Sequence, residues 1–271
     1  YEANDINITA GADVTFTTTN TAVEFQDGAA GQIVLSDATD LTITTSGGNI
    51  TIAPTIAGTD SGGGGNTAED ITLNAAGGTV TLSNTGAAVL ATEIGDVTLT
   101  GATIALSNSI TSTGTNSAGN AATIDINGAV TLNDNDITFT TGGAGIDFSS
   151  TIVSGSTTPR ALTIAQGAGA VVINGNIGGT ANNDVGNITI GATGNNGNIT
   201  LSGDIGTDSV AGAAVVALGN ASTGLITLGG AEYNTSGTQT YTADDYNLNG
   251  TAITLTTSND IVTFNDGGGD G

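Results

Sequence analysis

The sequence predicts an all-β chain wound as a parallel β-helix, a β-solenoid that runs as one continuous domain over residues 1–271. Three observations predict it: a strand tripeptide that recurs along the whole chain, a repeat period in the twenties, and a composition poor in the large side chains that fill a spherical core.

The tripeptide reads apolar, Thr, apolar. It stands as Val14-Thr15-Phe16, Leu41-Thr42-Ile43, Ile50-Thr51-Ile52, Ile71-Thr72-Leu73 and Val97-Thr98-Leu99, and returns as late as Ile226-Thr227-Leu228 and Val262-Thr263-Phe264. Strand side chains alternate between faces, so both apolar residues point inward and Thr points to water. β-Branched residues favour this pleated setting. No stretch keeps a 3.6-residue apolar period, which leaves no basis for a helix. Between the short strands lie Gly47-Gly48, Asn127-Gly128, Asn174-Gly175 and Asn249-Gly250. These steps read as turns, on the ground that Gly and Asn tolerate positive φ.

The longer period separates a solenoid from a meander of hairpins. Anchors at the last apolar residue of a recurring strand are Phe25, Ile52, Leu82, Leu106, Ile126, Phe148, Ile173, Leu201, Leu228 and Leu255, in steps of 27, 30, 24, 20, 22, 25, 28, 27 and 27 residues. A second Ile follows four residues later at Ile56, Ile110, Ile152, Ile177 and Ile205. Such a period, with about three short strands in each repeat, is what one coil of a parallel β-helix requires. About ten coils stacked at roughly 4.8 Å make a rod about 50 Å long. Variable polar loops, such as residues 58–67 and 111–120, are expected to absorb the unequal lengths at one corner. The rival is a β-sandwich, which asks for longer strands and large aromatic core residues. Neither is evident here.

Composition narrows the function. The chain has 44 Gly, five Phe, four Tyr and no Cys, Met, Trp, His or Lys; Arg160 is its one cation, and the net charge is −24. Nucleic-acid affinity comes from cations that neutralise phosphates, so nucleic acid and anionic membrane surfaces are excluded as partners. The longest apolar stretch, residues 210–218, is broken by Gly212 and too short to span a bilayer, so no membrane insertion is expected. The chain starts at Tyr1 without a signal-peptide pattern and reads as an excerpt or processed product of a longer precursor.

The same composition argues against catalysis. Without His, Cys or Lys, the usual nucleophilic, zinc and lyase chemistries lack their groups, and no local motif singles out a carboxylate pair. No catalytic, cofactor-binding or metal residue is therefore assigned. Calcium is the cofactor worth weighing. Asp134-Asn135-Asp136, Asp244-Asp245, Asp204 with Asp208, and Asp266 with Asp270 bring hard oxygen ligands together, yet neither the EF-hand spacing nor the glycine-rich nonapeptide repeat occurs. Two readings stand for these residues: turns in which Asp and Asn accept nearby backbone N–H bonds, or specific calcium sites. Outward Thr residues, with a local row at Thr17, Thr19 and Thr21, raise ice binding as well. That function needs the Thr to align on one flat face without bulky neighbours. Asn-x-Thr sequons at Asn7, Asn49, Asn187 and Asn198 fall at turn-to-strand junctions.

Gly237-Thr238-Gln239-Thr240-Tyr241 and Gly186-Asn187-Ile188-Thr189-Ile190-Gly191, with the repeated Thr-bearing strands, resemble the central repeats of filamentous-haemagglutinin-type exoproteins, the giant bacterial adhesins of two-partner secretion. The resemblance covers most of the chain. It implies a right-handed parallel β-helix shaft, a place outside the cell or on its surface, and a role in adhesion, aggregation or biofilm. Neither the family's secretion domain nor a terminal recognition module is recognisable, so the chain corresponds to the shaft. The expected function is an extracellular structural shaft or fibre; the alternative is a calcium- or polysaccharide-binding solenoid module. Expected partners are further coils, by covalent continuation or end-to-end self-association, together with a host surface or polysaccharide.

Overall fold

The computed structural model describes residues 2–8, 13–36, 39–59, 69–83, 94–116, 118–179, 184–191, 194, 197–207 and 211–268. These residues form 25 strands and no helix, and every strand ladder is parallel. The chain is a β-solenoid. A sandwich of hairpins would have paired neighbouring strands antiparallel; the one antiparallel pairing among the described residues is an isolated bridge, Thr115 to Ala121.

The described strands fall on three faces. The first carries Val14–Thr18, Leu41–Thr45, Glu69–Asn74, the opening halves of Ile94–Leu106 and Ile124–Leu132, Ile146–Phe148, Val171–Ile173, Ile199–Leu201, Leu225–Leu228 and Asp245–Leu248. Its register stacks Val14, Leu41, Ile71, Val97, Ile124, Ile146, Val171, Ile199, Ile226 and Tyr246 in one column. The second face stacks Val23, Ile50, Val80, Ile104, Val130 and Ile152, then Ile177 and Ile205 through isolated bridges, then Tyr233 and Leu255. The third face stacks Ile110, Phe139, Ile164, Ile190, Leu218, Tyr241 and Phe264. The inward columns are dry: from Ile33 to Leu228 nearly every inward Ile, Leu and Val is fully buried. At roughly 25 cal/mol per Å² of apolar area, many small aliphatic side chains do what a few aromatics do in a spherical core.

The structure corrects three details of the sequence reading. The anchors do not share a face. Phe25, Ile52, Leu82, Leu106 and Leu255 belong to the second face, whereas Ile126, Phe148, Ile173, Leu201 and Leu228 belong to the first. All three faces carry the same local pattern, so an anchor slips from one to the next unnoticed, and the short step of 20 residues from Leu106 to Ile126 is that slip.

Among the described residues, loops at two corners absorb the unequal lengths. One loop, residues 113–123, lies between the third and first faces, and another, residues 155–161, lies between the second and third. The corner from first to second face stays tight.

That tight corner also explains glycines read as positive-φ turns. Gly48, Gly78, Gly101 and Gly128, then Gly175, Gly203, Gly230 and Gly250, recur there, and none has a positive φ. A Cβ on Gly78 would press on the Gly48 carbonyl oxygen, and one on Gly128 on that of Gly101. Glycine is required because the backbone of one coil touches the next.

Candidate functional site

Two features on the outer surface of the first face could carry function: a column of carboxylates and an array of threonines. Both follow from the register of the inward columns, because whatever flanks the inward residues is stacked at the same coil spacing.

Asp13 and Asp40 immediately precede a strand of the first face, and Asp70 and Asp96 lie in the opening residues of one. Each side chain accepts a backbone N–H from the coil above. Asp40 N–H donates to Asp13 Oδ1 (3.4 Å), Asp70 N–H to Asp40 Oδ1 (2.9 Å), and Asp96 N–H to Asp70 Oδ1 (2.7 Å). Thr123 closes the series, donating both N–H (2.8 Å) and Oγ1–H (3.1 Å) to Asp96 Oδ1. The device recurs at the other corners. Thr79 N–H donates to Asn49 Oδ1 (2.9 Å), Thr138 N–H to Ser109 Oγ (2.9 Å), and Asp204 N–H to Asn176 Oδ1 (3.0 Å). A carboxylate accepting a backbone N–H makes a charge-assisted bond, so these residues clamp one coil to the next.

The acids singled out from sequence join the same scheme. Asp134 Oδ2 accepts from Ser107 Oγ (2.7 Å), while Asn135 Nδ2 donates to the Ser107 carbonyl (2.7 Å). Asp136 Oδ1 accepts from Ala161 N–H (2.8 Å), and Asp204 Oδ1 from the N–H groups of Ala231 (2.5 Å) and Glu232 (3.0 Å). Asp266 Oδ1 takes the local Gly268 N–H (3.0 Å). Asp244 Oδ1 is buried without a hydrogen bond, and its neighbour Asp245 lies on the exposed last strand of the first face. Asp208 and Asp270 lie outside the described residues. Apart from the bond at Asp266, these are not the local turn bonds expected from sequence: they join residues 25 to 28 apart, on successive coils. Among the described residues no three Asp or Glu converge as metal ligands. Arg160 bonds to the backbone, its Nε donating to the Asn133 carbonyl (3.2 Å). The sequon residues Asn7, Asn49, Asn187 and Asn198 are all exposed.

Next to the Asp column runs the outward column Thr15, Thr42, Thr72, Thr98, Asp125 and Asp147, stacked residue on residue. Two residues further along each strand is a second outward column, Thr17, Thr44, Asn74, Thr100 and Asn127. The change from Thr to Asp has an electrostatic cost. Burial raises the Asp125 carboxyl above its ordinary range, and the charges of Asp147 and Asp96 push the same way, against a lowering bond from Thr123. Sequence inspection missed the carboxylate column, although its signal is legible as Asp-apolar-Thr-apolar at residues 13–16, 40–43, 70–73 and 96–99.

Comparison with family models, curated proteins and solved structures finds no match for this chain.

Proposed function

We propose that this chain is a structural shaft, a load-bearing segment of an extracellular fibre or surface adhesin, with its coils continued beyond each described end by more chain or by a second copy. The observation that supports the reading is the unbroken first-face ladder from Val14 to Leu248, which turns the whole length into one stiff stack. Catalysis plays no part in it. The acids serve as coil clamps, and the chain holds a single Arg and no His, Cys or Lys.

The ends agree with continuation. The first coil opens onto a cleft of about 510 Å³ lined by Phe16, Thr18, Ala22, Val23 and Glu24. The last coil exposes Leu248 (54%) and Phe264 (43%), the ends of inward columns that an added coil would cover. An exposed strand edge is a template for further pairing, and head-to-tail stacking of one unit on the next gives an open filament. With a net charge of −24, such rods repel sideways at low salt and approach as salt screens them.

Electron microscopy of the purified chain in low salt tests the reading. Discrete rods about 50 Å long, the length of about ten stacked coils, indicate a shaft segment continued by its own chain. Long fibres of uniform width indicate that copies stack. Compact round particles would overturn the shaft.

A further inference from the structure

We propose that the Arg160–Ala161 peptide bond is a latent cleavage site for an arginine-specific endoprotease of the trypsin type, closed while the coils are stacked and exposed when they part. The 271 residues hold no Lys and one Arg, so such an enzyme has a single bond to cut. Ala161, rather than Pro, follows the Arg, which leaves the bond of a cleavable kind.

The bond lies at the edge of an accessible loop. Residues 155–161 connect the second face to the third, and Gly155, Thr157, Thr158 and Pro159 are exposed. Exposed loops of small polar residues are the usual sites of nicking. The exposure ends at Arg160. Its carbonyl accepts Gly186 N–H from the next coil (2.7 Å), and its Nε donates to the Asn133 carbonyl of the previous one (3.2 Å). On the other side of the bond, Ala161 N–H donates to Asp136 Oδ1 (2.8 Å), and the Ala161 carbonyl accepts Ile137 N–H (2.9 Å). Leu162 follows, buried and paired with both Ile137 and Ile188. The next coil also covers the reacting carbon: a Cβ on the buried Gly186 would lie 3.2 Å from the Arg160 carbonyl carbon and 3.1 Å from the Ala161 nitrogen.

Hydrolysis asks for these same groups. The protease takes the guanidinium in an acidic pocket, its nucleophile attacks the carbonyl carbon, and its oxyanion hole donates to the carbonyl oxygen. Water completes the reaction: the C–N bond breaks, the Arg160 carbonyl gains the hydroxyl as a carboxylic acid, and Ala161 gains the hydrogen as a free amine. In the stacked chain the oxygen is already bonded, the carbon is covered and the Ala161 N–H is held by a carboxylate. Cutting therefore waits on local opening, and its rate follows the fraction of chains that are open. An intact stack resists this class of enzyme. A stack opened around this corner is cut once, into residues 1–160 and 161–271.

The test is trypsin digestion of the whole folded chain, followed by mass spectrometry, beside a synthetic peptide of residues 152–168. The folded chain should be cut at least about a hundredfold more slowly than the peptide. Asp136→Ala removes the acceptor of Ala161 N–H and should speed cutting at least about tenfold, the effect of one charge-assisted bond. Asp136→Asn keeps an acceptor and should stay close to the parent rate. Asp204→Ala breaks a clamp at another corner and should leave the rate unchanged. Each variant is digested at a temperature equally far below its own melting. Should Asp136→Ala fail to fold, the parent chain in urea below its unfolding transition replaces it, and cutting at Arg160 should rise with urea. A folded chain cut as fast as the peptide overturns the proposal. So do equal rates for Asp136→Ala and Asp204→Ala, or a rate that urea does not change.

Discussion

The middle coils and the last three coils share one winding but fill their columns differently. In the middle, the third-face column Ile137, Leu162, Ile188 and Val216 is aliphatic and dry; one coil later Gln239 takes the same place, fully buried. Its Nε2 donates to the carbonyls of Tyr233 (2.7 Å) and Thr256 (2.9 Å) and to Thr235 Oγ1 (3.1 Å), while its Oε1 accepts from Tyr241 Oη (2.9 Å). Tyr233 likewise replaces the Ile152, Ile177 and Ile205 column. Its hydroxyl donates to the Leu201 carbonyl (3.3 Å) and accepts Gly230 N–H (3.0 Å). Burial pushes the Tyr233 phenol up to about 12, and burial raises Tyr241 further. Tyr241 stacks on the half-exposed Phe264 at 4.9 Å. A column therefore tolerates a polar residue where the neighbouring coils satisfy it as a group. Towards the open end, that network and its rings do the work that aliphatic packing does in the middle.

The largest effect that would sharpen this contrast comes from charge in the dry column. Ile173→Asp should lower stability by at least about 3–5 kcal/mol, since it both removes a packed side chain and buries a carboxylate. Leu248→Asp, in the same register on the exposed last coil, should change it by less than about 0.5 kcal/mol. Equal losses in chemical denaturation would erase the distinction between middle and end. Gly128→Ala comes next, at about 1–3 kcal/mol, because its Cβ meets the Gly101 carbonyl of the coil below; an unchanged melting temperature would show that the tight corner yields.

Within the end network, Tyr241→Phe orphans Gln239 Oε1 and should cost about 1–2 kcal/mol. Restoration by Gln239→Leu in the same chain would show that the loss is the unsatisfied amide rather than the ring. At the outer clamps, Asp96→Ala removes the acceptor for both Thr123 donors and should cost about 1 kcal/mol. Faster hydrogen exchange at Thr123 N–H is the local readout.

The smallest effect depends on pH. The carboxyl of Asp125 is raised, so its protonated form is favoured in the folded chain. That contribution is complete below the ordinary carboxylate range and is lost as pH rises through the raised value. Asp125→Asn should therefore raise stability at neutral pH by less than about 1 kcal/mol, because the half-exposed site is screened. The gain should vanish in acid and shrink with added salt. A gain that persisted in acid would assign the effect to packing.

Most of the fold was legible from the chain. Alternating strands such as Leu41-Thr42-Ile43 show which side chains turn inward, and repeats in the twenties show that strands stack in coils. The candidate site was only half legible. The Asp of Asp70-Ile71-Thr72-Leu73 can be seen in the sequence, but its partner, Asp96 N–H, lies 26 residues away and depends on the length of the intervening coil.

The sequence by itself determined strand identity, the inward and outward sides, the absence of helix and the acidic character, because alternation and composition are local properties. Only the tertiary structure decided which face each strand joins, why Gly128 must be glycine, and that Thr15, Thr42, Thr72 and Thr98 line up. Three faces share one local pattern, so strands are told apart by contacts between coils, and those contacts join residues more than twenty positions apart.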